Sequence, residues 1–245
     1  DRSRGLGDVY KRQPQVHPAG KPAHSPPDTR HQSITVNHRL TVFIEQPPEF
    51  VRKLYPSAVW RMDPDERAVY LTFDDGPIPE VTPWVLDLLD KYDIKATFFM
   101  VGDNIRKHPD EFQMVVERGH RIGNHTFNHL RGFEYNFKDY LANAEKANEV
   151  MKTDLFRPPH GHMGWTQYMI LKRRYKIIMW DLVTRDYSKK LRGPQVLANV
   201  MKYARNGSII TFHDSLKSWN NGNLQYALPR AIEFLKEEGY EFRLL

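Results

Sequence analysis

A chain of 245 residues with 40% hydrophobic content is long enough to bury one sizeable core, and one domain of about 200 residues is the natural reading. It has no cysteine, which excludes disulfides, thiolate zinc sites and cysteine nucleophiles. Of the formal net charge of +6, residues 1–40 supply +4 through seven Lys or Arg against three Asp, so the rest is nearly neutral and nucleic acid is not an expected partner.

Residues 1–40 also carry five of the 17 prolines and few large apolar side chains, so a disordered tail is expected there. The chain opens on Asp1, and the stretch through Gln13 reads as an assembly remnant that hides the true start. Residues 41–67, with Pro47-Pro48 and Leu54-Tyr55-Pro56, read as a lead-in packing on the main fold. No run approaches the roughly 18 apolar residues of a membrane span. No signal pattern is visible, so the address stays open between cytoplasm and cell envelope, as does the oligomeric state.

From Ala68 onward, short β-rich apolar runs alternate with longer segments of helical spacing. The pattern predicts strands over 68–73, 95–101, 120–123, 155–158, 176–181, 208–212 and 240–244. It predicts helices over 81–92, 110–118, 137–152, 166–174, 194–204 and 224–238. Seven strands with helical crossovers imply parallel pairing and an α/β fold, either an irregular (β/α) barrel or an open doubly wound sheet. Asp74-Asp75, His125 to His129, Arg157, Asp186 and His213 all follow the C-terminal ends of different strands, as a barrel mouth requires.

The strand ending Thr72-Phe73-Asp74-Asp75-Gly76-Pro77 delivers two carboxylates to a turn. Adjacent residues of an extended chain point to opposite faces, so one aspartate can ligate a metal while the other stays off it as a general base. His125 and His129, four apart, share one side of the segment if it is helical, and with a carboxylate they make a three-ligand set for a catalytic divalent ion. Such a set leaves positions for water and substrate. An isolated HxxxH is more often a surface histidine pair, and an Asp-Asp-Gly turn is often only solvated; the two together favour chemistry. Arg157-Pro158-Pro159-His160-Gly161 is a rigid turn that either serves structure alone or holds a carboxylate through Arg157 and offers a backbone N–H near His160 to an oxyanion. His213, where an apolar strand stops, is an acid candidate tuned by Asp186, against the plainer reading of a structural strand-end histidine. Asn124 and Asn128 flank the histidines as possible supporting partners. Trp180 reads as core, and Trp219, in an expected loop over 218–223, as a sugar-stacking candidate.

In this order, these residues resemble the polysaccharide deacetylases of carbohydrate esterase family 4. Thr72 to Pro77 reads as the family's TFDDGP motif, His125 to His129 as its H-[ST]-x-x-H motif and Arg157 to Gly161 as its R-x-P-x-G motif. The resemblance covers about Ala68 to Leu245 and makes 68–245 the catalytic domain. It implies a distorted (β/α) barrel of about seven parallel strands, with Asp75, His125 and His129 holding zinc or another divalent ion such as Co2+, Ni2+ or Mn2+. It further implies Asp74 as general base oriented by Arg157, His213 as general acid tuned by Asp186, and an oxyanion shared by the ion and the backbone at His160. The implied reaction removes acetyl groups from N-acetylated amino sugars of a glycan, peptidoglycan or chitin-like, releasing acetate. An O-acetyl xylan esterase of the same family is the alternative within that chemistry. Tyr187 stands where tryptophan is usual, Thr211 where leucine is usual and His160 where tyrosine is frequent; the first two are expected to line the acetyl and sugar pocket. Two other classes remain in view: a non-haem iron oxygenase, which also uses two histidines and a carboxylate, and a catalytically silent carbohydrate-binding homologue.

Overall fold

Val69 to Phe73 are apolar or β-branched at almost every position, and the strand they build, β1 (Ala68–Asp74), is buried along its whole length. A strand covered on both faces belongs at the centre of a parallel sheet flanked by helices. The structure of the protein, a computed structural model, describes residues 45–245; the expected tail over residues 1–40 and the opening of the expected lead-in lie outside the described residues. From β1 the chain continues through α2 (Thr82–Lys91), β2 (Thr97–Met100), α3 (Gly102–Lys107), α4 (Pro109–Glu117) and β3 (Arg121–Asn124). It then runs through α5 (Phe137–Met151), β4 (Leu155–Phe156), α6 (Trp165–Leu171), β5 (Lys176–Ile177) and β6 (Leu182–Val183). The last third holds α7 (Gly193–Tyr203), β7 (Ser208–His213), α8 (Leu216–Asn220), α9 (Asn223–Glu237) and β8 (Glu241–Phe242), and a short α1 (Glu49–Arg52) precedes the sheet.

Among the described residues every strand pair is parallel, and seven strands run in the order β5-β4-β3-β2-β1-β7-β6. The eighth, β8, pairs with β1 at Ala68 and Val69, while β2 takes the same edge further along at Thr72 to Asp74. The two ends of the path, β5 and β6, are separated by only Ile178 to Asp181, so the sheet must curl until its ends approach one another. This is the distorted (β/α) barrel expected from the sequence. Of the strand predicted over 176–181 only Lys176–Ile177 is strand, as β5, and a further strand not predicted from the sequence, β6, follows at Leu182–Val183. Ile178 still donates to Phe156 of β4, but Asp181 donates to Ile209 of β7, so the chain changes partner across Met179-Trp180.

The lead-in backbone enters this change of partner. Val59 bridges Ile178, Arg61 bridges Ser208, and Met179 N–H donates to the Val59 carbonyl. Tyr55 and Trp60 are buried there with Tyr140, Phe156 and Tyr168. Arg52 and Arg205 both reach Asp181 Oδ1 at 2.6 Å, giving that fully buried carboxylate two cations and the Ser208 hydroxyl. A second core, built on Phe73, Phe98, Phe212 and the apolar faces of α2, α7 and α9, fills the space between sheet and helices.

One buried histidine makes the core sensitive to acid. His120 Nδ1 accepts the Ala96 N–H at 3.1 Å, its Nε2 has no hydrogen-bond partner among the described residues, and burial followed by the charge of Lys95 pushes its pKa down to about 4. The native state therefore binds fewer protons than the unfolded chain between the ordinary histidine value and that pKa. Stability is complete above about 6.5 and is expected to fall as pH drops from there towards 4. Urea midpoints across that range check this, with a flatter profile expected for His120→Gln.

Candidate active site

The C-terminal ends of β1, β3, β4 and β7 bring the expected polar residues to one mouth. Asp74 closes β1 and sits in register with Phe99 on β2 and His213 on β7. At Asp75 the backbone turns to a φ of 84°, which breaks the strand alternation. The two carboxylates therefore do not point to opposite faces: His125 Nε2 lies 3.8 Å from Asp75 Oδ1 and 4.0 Å from Asp74 Oδ2. The turn that follows is pinned by Asp214, whose Oδ1 accepts the Gly76 N–H at 3.1 Å and whose Oδ2 accepts the Thr82 hydroxyl at 2.7 Å. A Cβ on residue 76 would lie 2.0 Å from Asp214 Oδ2, so only glycine fits. Asn104 completes the support by donating to the Asp75 carbonyl at 2.7 Å.

His125 and His129 do not share a helix, because residues 125–131 form a loop with Thr126 at φ 62° and His129 at φ 55°. That loop still directs both rings to Asp75. His129 Nε2 stands 3.0 Å from Asp75 Oδ1, and the two ring centroids are 5.0 Å apart. Asn124 and Asn128 shape the loop through backbone and side-chain hydrogen bonds. Asn124 accepts the Thr126 N–H at 2.8 Å and donates to Ala144, and Asn128 pairs with Asn143 at 2.9 Å.

Asp75, His125 and His129 present ligand atoms that all lie within 4.8 Å of one another, so they could hold a metal ion. The donor set fits one. His125 Nδ1 is 2.8 Å from the Arg157 carbonyl, which can only accept, so the proton sits on Nδ1 and the Nε2 lone pair faces Asp75. Burial, helped by His129, holds His125 well below the usual histidine pKa and keeps that nitrogen free of a proton. Although burial opposes it, the hydrogen bond from His129 and the nearby histidine charges lower the Asp75 pKa, so this group is a carboxylate.

Arg157 is fully buried beneath Asp74. Its Nη1 donates to Asp74 Oδ1 at 2.6 Å and to the Thr72 hydroxyl at 2.8 Å, and its Nη2 donates to the Met179 carbonyl at 3.0 Å. Its guanidinium carbon lies 4.0 Å from the Phe99 ring centroid. Burial raises the Asp74 pKa, with Arg157 and then His213 pulling the other way. Across the mouth, Asp186 grips His213 twice, accepting from its backbone N–H and from Nδ1, each at 2.8 Å. Burial works against the imidazolium, but the Asp186 charge and hydrogen bond, joined by Asp75 and Asp74, push the His213 pKa up to about 9.

Tyr187 stands edge-on to His213 at 4.8 Å, and His160, at φ 58°, stands edge-on to His129 at 4.8 Å. Two expected pocket residues lie elsewhere. Thr211 is 1% exposed, and its hydroxyl is 3.1 Å from that of Thr72, because strand alternation sends it inward one layer below His213. Trp219 lies in α8, not in a loop, and its half-buried ring packs edge-on to Trp84 at 5.4 Å against the core. A cavity of ≈340 Å³ opens beside Asp75 and His129, with walls that include Ile78, Asn104 and Lys217. Sequence reasoning missed Asp214, Asn104 and Asn223. Asn223 Nδ2 ties the carbonyls of Asp186, Ser188 and Leu191 at 3.0 to 3.2 Å and so holds the loop that carries Asp186. The position of Asp214 directly after the strand-end His213 was the one available signal.

Residues 61–173 match the family model described as polysaccharide deacetylase. A peptidoglycan-N-acetylglucosamine deacetylase of Bacillus cereus is 34% identical over 192 residues, covering 75% of this chain and 88% of that protein. A solved peptidoglycan N-acetylglucosamine deacetylase, in complex with 4-naphthalen-1-yl-N-oxidanyl-benzamide, superposes with a TM-score of 0.71 at 29% identity, covering 81% of this chain and 94% of the other. A carbohydrate esterase family 4 pseudoenzyme from Bacillus anthracis superposes with a TM-score of 0.66 at 26% identity, covering 76% of this chain and 66% of that one.

Proposed function

The chain belongs to the polysaccharide deacetylase family, carbohydrate esterase family 4, and from that premise we propose that it is a metal-dependent hydrolase acting on an acetylated glycan. The bond cleaved is the acetamide of an N-acetylated amino sugar in a peptidoglycan-like or chitin-like polymer. Acetate leaves and a free amine remains. The observation that carries this reading is the convergence of the Asp75, His125 and His129 donors with Asp74 and His213 at one mouth.

Zn2+ suits two imidazoles and one carboxylate best, and when bound it supplies a Lewis acid that lowers the pKa of water and polarises an amide carbonyl. The protein's own groups carry the protons. Asp74, anchored through Oδ1 on Arg157, keeps Oδ2 free to accept a proton from the water that attacks the acetyl carbon. As the C–N bond breaks, His213 Nε2 gives a proton to the departing nitrogen; its hold on Asp186 keeps the ring protonated at neutral pH. The backbone at His160 contributes to the oxyanion, and His160 and Tyr187 flank the sugar. The peptidoglycan activity of relatives supports the cell envelope as the place of action.

The test is an acetate-release screen on peptidoglycan, chitin oligomers and acetylated xylan, with and without a chelator. Acetate release from the N-acetylated substrates is expected, abolished by chelation, restored by Zn2+ and lost in His125→Ala together with bound metal. Release only from xylan would make the enzyme an O-acetyl esterase. Glycan binding without release from any substrate would make the chain a silent homologue. Undiminished turnover in protein shown by elemental analysis to be metal-free would sink the metal role.

A further inference from the structure

The aromatic rings around the metal triad do not stop at its edge. His129 meets His160 at 4.8 Å, His160 meets His162 at 5.8 Å, and His162 meets Phe133 at 5.1 Å with an interplanar angle of 32°. The run leads from the triad to a phenylalanine that is 64% exposed. Its presentation is rigid. Gly132 N–H donates to the His162 carbonyl at 3.0 Å, while Gln167, itself buried, donates to the carbonyls of Gly132 at 2.8 Å and Tyr135 at 3.0 Å. The amide oxygen of Gln167 in turn accepts the Gly164 N–H at 2.8 Å. Residue 132 must be glycine for this clamp, since a Cβ there would lie 2.4 Å from the His162 carbonyl oxygen.

The clamp fixes the backbone that carries Phe133, and the ring rests against His162, so it can meet a ligand at a reduced ordering cost. We propose that Phe133, with His162, is a stacking platform for a further pyranose of the same glycan chain, at least one sugar removed from the one whose acetyl group meets the triad. The occupant follows from continuity with the mouth. A pyranose presents a face of C–H bonds that covers an aromatic ring, and its rim of hydroxyls suits the imidazoles on the way. The enzyme would then prefer internal sugars of a polymer over short substrates. This inference rests on the glycan reading of the mouth.

Two readouts test it. The first is the ratio of kcat/KM for a soluble hexamer of N-acetylglucosamine to that for para-nitrophenyl acetate, which is too short to reach Phe133. In Phe133→Ala that ratio is expected to fall about tenfold, the equivalent of about 1.4 kcal/mol, and Phe133→Trp is expected to restore it. The second is hexamer binding to metal-stripped protein, followed by the fluorescence of Trp165, which is 59% exposed at the start of α6 beside the clamp. Kd is expected to rise by the same factor in Phe133→Ala. Equal ratios and equal Kd in wild type and Phe133→Ala would overturn the platform. Hexamer binding that depends on Phe133, in a protein that releases no acetate from any acetylated substrate, would uphold the platform and overturn the deacetylase reading instead.

Discussion

Asp74→Asn is expected to lower kcat for acetate release by about 10²- to 10⁴-fold, the range typical of a lost general base, while bound metal stays near wild-type content. The substitution is close to isosteric, so the geometry isolates the chemistry. Asp74 Oδ1 takes the Arg157 hydrogen bond at 2.6 Å, a role that an amide oxygen can keep. What asparagine lacks is a second oxygen able to accept a proton, and Oδ2 is the atom that faces His125 Nε2 at 4.0 Å. The residues that could hold a metal ion, Asp75, His125 and His129, are unchanged. Steady-state acetate release together with elemental analysis of the purified variant decides the matter. Full turnover at full metal content would move the base to another group, and loss of metal would move Asp74 into the ligand set.

The convergence of these residues at one mouth is legible in the sequence, and the reason lies in strand chemistry. Runs such as 68–73 and 208–212 are apolar and β-branched because they are buried on both faces, and a parallel barrel delivers whatever follows such runs to one end. Hence Asp74, His213 and Arg157 converge despite wide separation in sequence. Loop conformation was not legible. Among the described residues, seven non-glycine residues have positive φ, and five of them, Asp75, Thr126, His129, His160 and Arg185, lie in the loops at the mouth. Left-handed backbone at such residues leaves no pattern in a sequence, and it is why both aspartates face one cleft and why the histidine pair needs no helix. The short helices α3 and α8 escaped notice because one turn or two carries no readable periodicity, and so Trp219 was expected in a loop. The end of β5 at Ile177 and the start of β6 at Leu182 depend on which neighbour offers a free edge, a tertiary fact with no local signal.

Arg157→Met is expected to cost about 3–5 kcal/mol of folding stability, the penalty typical of breaking a buried ion pair by removing one partner, in addition to most of the activity. The guanidinium is fully buried and is the only cation the structure places in hydrogen-bond contact with Asp74 among the described residues. It also satisfies the Thr72 hydroxyl and the Met179 carbonyl, and its plane covers Phe99. Methionine fills much of the volume but leaves a carboxylate that is 5% exposed without its counter-ion. Urea unfolding measures the loss, and the double variant Asp74→Asn with Arg157→Met gives the cause. If the uncompensated charge dominates, neutralising Asp74 recovers a large part of the stability lost in Arg157→Met, so the two changes are strongly non-additive. If the two losses simply add, the guanidinium matters for its packing and carbonyl contacts, and Asp74 is held in its productive rotamer by other means. Arg157→Lys sharpens the distinction: a single ammonium can keep the charge but cannot span Asp74, Thr72 and Met179 with one planar fork, so stability should return further than kcat.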